Sequence, residues 1–243
     1  MTADDAARVL VGLWARVTAT SPAPAPLDLV LVPLVVAALL LSPAWPRLRH
    51  GVTIVHEAGH GFAATLTRRR LRGIRLHSDT SGLTVSVGPP RGPGMVLTLL
   101  AGYPAPSIAG LLVTWAVAGG HAAAALWGCL VLLAAVLVQI RNWFGLWSVL
   151  VAGGLVGAAT WFADPAWRTR IALALAALLV LGGLRAALEL PRARRRGGGA
   201  SDADQLGRIT VLPVGVWLTV FVLLGLACAV AAAAMLARPV LDA

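Results

Sequence analysis

The stretch His56-Glu57-Ala58-Gly59-His60 lies inside an apolar segment, residues 51–66, in the middle of a predicted membrane-spanning helix. Residues four apart share one face of a helix, so His56 and His60 can bind one metal ion. Glu57 then lies next to the ion, where a carboxylate can act as general base, as in zinc proteases. Ionisable residues buried in an apolar span are costly and mark functional sites. One metal ion accounts for all three residues better than helix packing does.

The composition is that of a membrane protein. Of the 243 residues, 58% are hydrophobic and only 12% are charged, and the mean hydropathy is +0.83. A soluble core does not need this much apolar sequence. We therefore predict an all-α polytopic membrane protein with about seven transmembrane helices. The predicted spans are residues 27–45, 48–68, 94–119, 121–140, 143–162, 168–190 and 210–237.

The chain has no lysine, so 20 arginines supply the positive charge, and 10 acidic residues leave a net charge of +10. Threading seven spans places most arginines on one side of the membrane. The other side receives Arg47, Arg49, Arg168, Arg170 and Arg238. We expect a multi-pass protein of the plasma membrane, and the positive-inside rule places its N-terminus in the cytoplasm and its C-terminus outside. These arginines occupy short loops instead of one soluble basic face, so no nucleic-acid partner is expected.

We divide the chain into three regions. Residues 1–26 are predicted to form a cytoplasmic amphipathic segment and a Pro-Ala linker. Residues 27–237 form a single transmembrane domain with a basic, Gly-rich loop at 191–209, and residues 238–243 form a short tail. Cys129 and Cys228 lie in apolar spans without partners at metal-ligand spacing, so no disulfide is implied.

Residues 71–88 change to a period of two. Leu83, Val85 and Val87 alternate with small or polar residues after the turn-rich segment 78–82, and this pattern predicts a small cytoplasmic β-hairpin directly after the H-E-x-x-H helix. A lone hairpin is unstable in water, so we expect it to pack near that helix. Its edge strand could capture an unwound substrate segment. Sealing the cytoplasmic face of the protein is an equally simple role for it.

A hydrolytic zinc site uses three protein ligands and one open position, and the motif supplies two ligands. The third is expected on the cytoplasmic side. Candidates are Asp202, Asp204, Glu189, Asp79 and His77. Asp202 and Asp204 rank slightly ahead because they begin a helix after the capping residue Ser201. Asn142 is a candidate for contacting substrate or a developing oxyanion, or alternatively for capping the helix that follows it.

Several segments together resemble the site-2 protease family of intramembrane zinc metalloproteases, in its compact bacterial branch. They are the H-E-x-x-H span, the arginine-rich hairpin with His77-Ser78-Asp79, Leu100-Ala101-Gly102-Tyr103 and Ser201-Asp202-Ala203. The resemblance covers roughly residues 28–237. It implies that His56 and His60 bind one zinc ion, that Asp202 stands for the family's aspartate ligand, and that Glu57 is the general base.

The predicted function is an intramembrane zinc metalloendopeptidase that uses metal-activated water. Its expected partners are the lipid bilayer and a membrane-anchored protein substrate with a transmembrane segment, and the sequence contains no signal for an oligomeric state. The alternative is a proteolytically inactive, metal-binding membrane scaffold or chaperone, which fits if the third ligand is missing or water cannot reach the metal. A metal transporter is less favoured, because one buried H-E-x-x-H motif has no obvious polar route on both sides.

Overall fold

The computed structural model describes residues 2–196 and 201–241. The fold is mostly helical, with one two-stranded antiparallel sheet. The helices are α1 (Ala3–Thr18), α2 (Pro26–Leu41), α3 (Trp45–Leu66), α4 (Pro93–Ala101), α5 (Pro104–Ala118), α6 (Ala122–Gln139), α7 (Trp143–Phe162), α8 (Pro165–Arg195), α9 (Asp202–Ile209) and α10 (Val214–Leu241). The strands are β1 (Arg70–Leu76) and β2 (Gly82–Val87).

Four single helices, α6, α7, α8 and α10, are long and apolar enough to cross a membrane. The pairs α2 with α3 and α4 with α5 qualify only together, and they are bent by 106° and 62°. Prolines explain both breaks, because Pro46 is the second residue of α3 and Pro104 the first residue of α5, and neither has the amide donor needed to continue the preceding helix. The described residues therefore supply four spans, or up to six if each pair is one span. The predicted count of seven treated α2 and α3 as separate crossings and is not reproduced.

Helix α8 is the centre of the bundle and contacts α2, α5 and α10. Small residues let α5 approach it closely. A Cβ atom added at Gly110 would lie 2.8 Å from the carbonyl oxygen of Ala176, and one added at Gly183 would lie 2.6 Å from the Ser107 hydroxyl. Such contacts between small residues are the usual means of close packing between membrane helices.

Both ends of the described chain lie at one end of this bundle. The Ser21 N–H, just after α1, donates to the Gly120 carbonyl at 2.7 Å, where α6 is about to begin. Pro26 at the start of α2 and Ala237 near the end of α10 line the same apolar cavity. Helix α1 and the end of α10 therefore lie at the same end of the bundle, whereas the seven predicted spans would put the two termini at opposite ends.

The reason for this difference is the direction of α3. At its start the Trp45 indole N–H donates to Glu189, near the C-terminal end of α8, at 3.2 Å. At its other end Thr67 packs against Gly94, at the start of α4, and α4 contacts α9, which follows α8. Both ends of α3 thus stay at the end of the bundle where α8 finishes. Along the bundle, the chain runs from one end to the other in α2 and does not run back in α3.

The predicted hairpin over residues 71–88 is confirmed. The register runs from Arg70 opposite Val87 to Leu76 opposite Gly82, with a bulge between Leu71 and Gly73. The outer edge of β1 is covered by the segment that joins α6 to α7, because the Arg141 N–H donates to the Ile74 carbonyl at 2.9 Å. The other edge of β2 has no strand partner within the described part of the chain.

Candidate metal centre

Three candidate ligands from two distant segments converge at one point. The Asp202 Oδ2 atom lies 3.3 Å from His56 Nε2 and 3.2 Å from His60 Nε2. The two histidine Nε2 atoms are 3.0 Å apart. Helix α3 supplies both imidazoles, and α9 supplies Asp202 as its first residue. The structure thus brings together the pair from the H-E-x-x-H motif and one of the five candidates for the third ligand.

The hydrogen bonding of His60 favours a cation at this point. Its Nδ1 lies 2.7 Å from the Thr98 carbonyl oxygen, which can only accept, so Nδ1 carries the proton. In the neutral ring, Nε2 then presents a lone pair toward His56 and Asp202.

The spacing of these donor atoms suits zinc. Tetrahedral zinc with nitrogen and oxygen ligands at its usual bond lengths places neighbouring ligand atoms about 3.3 Å apart. The three distances found here, 3.0, 3.2 and 3.3 Å, are close to that value. His56, His60 and Asp202 could therefore hold one zinc ion with one position open.

The break between α4 and α5 forms one wall of this site. A Cβ atom added at Gly102 would lie 2.8 Å from His56 Cε1 and would collide with His60 Nε2. The next residue, Tyr103, meets the His56 ring edge-on, with the ring centroids 4.7 Å apart. It also stacks on Phe221 of α10, with the ring centroids 4.9 Å apart. Only glycine at position 102 allows the backbone to approach the two imidazoles this closely.

Strand β2 holds Glu57 in place. This glutamate is 3% exposed, and the Thr84 hydroxyl donates to its Oε2 atom at 2.6 Å. A Cβ atom added at Gly82 would collide with the same carboxylate. Sequence reasoning did not identify Thr84 or Gly82. The alternation of apolar residues with small or polar ones in β2 could have indicated them, because it places Gly82 and Thr84 on the face opposite the exposed Leu83 and Val85.

The other candidates for the third ligand are engaged elsewhere. Asp204 forms a capping box with Ser201 and an ion pair with Arg194 at 2.8 Å. Asp79 accepts a hydrogen bond from the Ser81 hydroxyl at 2.6 Å, and this bond lowers the pKa of the Asp79 carboxyl. Within the described ranges, the group that could hold a metal contains none of the four remaining candidates, Asp204, Glu189, Asp79 and His77.

Asn142 lies at the edge of the hairpin. Its Nδ2 atom donates to the Leu76 carbonyl at 2.6 Å, and the Leu76 N–H donates to its Oδ1 atom at 3.2 Å. Its side chain makes no capping bond to α7. Both polar groups of the amide are thus bonded to the β1 backbone, and an oxyanion or substrate contact by Asn142 stays a prediction.

The site opens into a cavity of about 540 Å³. Its lining includes the three candidate ligands, Glu57, residues 82–86 of β2, and Arg49 from the first half of α3. A carboxylate, a metal-ligand set and an open strand edge therefore face one space, as hydrolysis of an extended peptide requires.

Comparison with known proteins identifies the family. The model of the Peptidase M50B-like family matches residues 29–232, which is most of the chain. Searches of curated proteins and of solved structures returned no match. The matched region contains α3, the hairpin and α9, and hence every residue of the site described above. The chain therefore belongs to the Peptidase M50B-like family, which confirms the resemblance to the site-2 proteases, and it is a multi-pass membrane protein of the metalloprotease type.

Proposed function

We propose that this protein is a zinc-dependent intramembrane endopeptidase that cleaves membrane-anchored protein substrates. One observation supports this more than any other. His56, His60 and Asp202 converge within 3.0 to 3.3 Å of one another beside the buried Glu57. A scaffold protein has no need of a general base and an open cavity next to its metal ligands.

Each residue has a distinct role in this proposal. His56, His60 and Asp202 would hold the zinc ion, which would supply a Lewis acid that polarises a carbonyl and activates water. Glu57 accepts a proton from the attacking water and passes it to the leaving amine. Thr84 fixes the carboxylate through its hydroxyl bond to Oε2. Thr98 fixes the ring of His60, so that its Nε2 atom faces the other two ligands.

Strand β2 is the proposed substrate-binding edge. A helical segment is a poor protease substrate, because its carbonyls are paired and shielded. A segment that unwinds could recover those hydrogen bonds by pairing with an open strand edge. Residues 82–86 line the cavity, and Leu83 and Val85 are 50% and 40% exposed, so they offer apolar contacts to such a segment.

The distribution of arginines supports a revised orientation in the plasma membrane. The hairpin end of the bundle contains the starts of α3 and α4, the hairpin and the ends of α6 and α8. The opposite end has only Arg8, Arg16, Arg168, Arg170 and Arg238. The positive-inside rule therefore favours a cytoplasmic hairpin and metal site. Helix α1 and the end of α10 are then both outside.

The test is cleavage of a substrate with one transmembrane segment, reconstituted with the protein in vesicles. We expect Glu57→Gln to abolish cleavage and to keep zinc, because Glu57 is not a ligand. His56→Ala should lose both. Asp79→Asn removes an exposed carboxylate from the hairpin turn and serves as the control that keeps both. Undiminished cleavage by Glu57→Gln would refute the mechanism, and a wild-type protein that binds zinc but cleaves nothing would favour the inactive scaffold.

A further inference from the structure

Arg49 shares the face of α3 that presents the metal ligands. It precedes His56 by seven residues, or two helical turns, so the two side chains project in similar directions. Arg49 lines the same cavity as His56, Glu57 and Asp202. Its side chain is 33% exposed. A guanidinium group thus forms part of the wall of the proposed active-site cavity, away from the zinc ligands.

The charge of Arg49 is only partly compensated. Glu189 pairs with two guanidinium groups, because its Oε2 atom lies 3.0 Å from Arg49 and its Oε1 atom lies 2.7 Å from Arg185. Among residues 2–196 and 201–241, no second carboxylate forms an ion pair with either arginine. One negative charge therefore faces two positive charges. In a partly buried site this imbalance is costly, and an added carboxylate would relieve it.

The two arginines are placed differently. Arg185 lies on α8 one turn before Glu189. Both guanidinium groups lie over the Trp45 ring, with the Cζ atom of Arg185 at 4.7 Å and that of Arg49 at 5.8 Å from the ring centroid. Arg185 does not line the cavity, so it serves as a structural partner of Glu189. Arg49 bonds to Glu189 through Nη1, and within the described segments this is its one hydrogen bond to the protein. Its remaining donors are available to a group that enters the cavity.

We propose that Arg49 forms a subsite that binds an acidic side chain of the substrate and so selects the sequence that is cleaved. This inference rests on the proposed protease function. Seven residues of α-helix span about 10 Å, and an extended chain advances about 3.3 Å per residue. The acidic residue should therefore lie about three residues from the scissile bond. A guanidinium fork suits the planar carboxylate of Asp or Glu.

The test measures binding, so that it does not depend on cleavage. Fluorescent substrate peptides with Asp placed at each position around the cleavage site are compared with Asn peptides, in vesicles of neutral phosphatidylcholine. The protein is the Glu57→Gln variant, which holds peptide without turnover. We expect Asp at one position to lower Kd by about 10- to 100-fold, as for a charge-assisted hydrogen bond.

Three further variants in the Glu57→Gln background test whether Arg49 causes the preference for Asp. Arg49→Gln should bring the ratio of the Kd of the Asn peptide to that of the Asp peptide near one. Arg49→Lys, which keeps the charge, should retain part of the preference. Arg47→Gln is the matched control, because it removes a positive charge two residues away on an exposed side chain that does not line the cavity. It should leave the ratio unchanged.

Two results would overturn the subsite. One is an equal Kd for Asp and Asn peptides at every position, and the other is a preference that persists in Arg49→Gln. Zinc content, measured on each variant, reports whether the site is still folded. If the wild-type protein cleaves no substrate while the Asp preference depends on Arg49, the protease proposal fails and the acidic subsite stands.

Discussion

Gly102 controls how closely the break between α4 and α5 approaches the two histidines. We expect Gly102→Ala to weaken zinc binding by about 10- to 100-fold, as changes beside metal ligands commonly do. The added methyl group would collide with His60 Nε2 and press on His56. Gly128→Ala in α6 is the matched control, because a Cβ atom there meets nothing within 4 Å. Competition with a chelator measures both affinities, and equal values in the two variants would contradict this account of Gly102.

The Thr84 hydroxyl is expected to contribute to turnover and little to substrate binding. Thr84→Val keeps the shape of the side chain but removes the donor that orients Glu57. We therefore expect kcat to fall by about 10-fold, the effect of losing one hydrogen bond. KM and zinc content should change little. Thr84→Ser should restore kcat, and Thr219→Val on an exposed face of α10 should have no effect. A fall in kcat that serine does not restore would indicate a packing defect.

At this scale the sequence predicted the residues that lie within one helix. His56, Glu57 and His60 follow from helical spacing alone. The choice of Asp202 over Asp204 does not, because it depends on which carboxylate the Ser201 cap uses, and the structure pairs Ser201 with Asp204. The contacts of Glu57 with Thr84 and of Gly102 with the imidazoles join positions 27 or more residues apart, and no local pattern indicates them.

At the scale of elements, Asn142 fastens the hairpin to the bundle. In Asn142→Asp, a carboxylate oxygen would replace the Nδ2–H group that faces the Leu76 carbonyl. We expect a loss of about 1–3 kcal/mol in the free energy of hairpin docking, the cost of leaving that carbonyl unpaired. Limited proteolysis in the turn 77–81 and amide exchange at Leu76 should both become faster.

The same variant separates two roles for Asn142. If its function is to donate a hydrogen bond to an oxyanion, kcat falls while the exchange rate at Leu76 is unchanged. Gly73→Ala is a second test of docking, because Gly73 has φ of +146° and an added Cβ would collide with the Arg141 side chain. We expect it to loosen the same edge of the hairpin.

The hairpin itself was predictable from the alternation in residues 71–88 and the turn between its strands. Its docking was not, because the partner of β1 is the segment 140–142, which sequence analysis placed only between two spans. Similarly, Gly102 entered the sequence analysis only as part of Leu100-Ala101-Gly102-Tyr103, and nothing in that segment revealed that its backbone would reach the metal ligands.

At the scale of the whole molecule, the account predicts that α1 and the end of α10 lie outside and the hairpin turn lies inside. Cysteines introduced as Thr20→Cys and Arg238→Cys should react with a membrane-impermeant thiol reagent on intact cells. Ser78→Cys in the hairpin turn should react only after permeabilisation. Unsubstituted protein is the control, because its own Cys228 is buried and Cys129 is partly buried. Labelling of positions 20 and 238 from opposite sides would contradict six crossings.

Composition alone predicted a polytopic membrane protein, and hydropathy located nearly every helix. The predicted count of seven crossings is not reproduced, and the difference has a physical reason. Hydropathy records the length and apolarity of a segment, whereas the 106° bend between α2 and α3 depends on Pro43 and Pro46 and on the ion pair of Arg49 with Glu189. That pair holds the start of α3 near the end of α8, so α3 does not run back along the bundle as a separate span would.

The most direct test of the central claim is the zinc content of purified wild-type, Asp202→Ala and Asp204→Ala proteins, measured side by side by elemental analysis. The account predicts one zinc ion per chain in the wild type, its loss in Asp202→Ala and its retention in Asp204→Ala, because only Asp202 contacts both histidines. Zinc retained in Asp202→Ala, or none in the wild type, would contradict the metal site on which the proposed function depends.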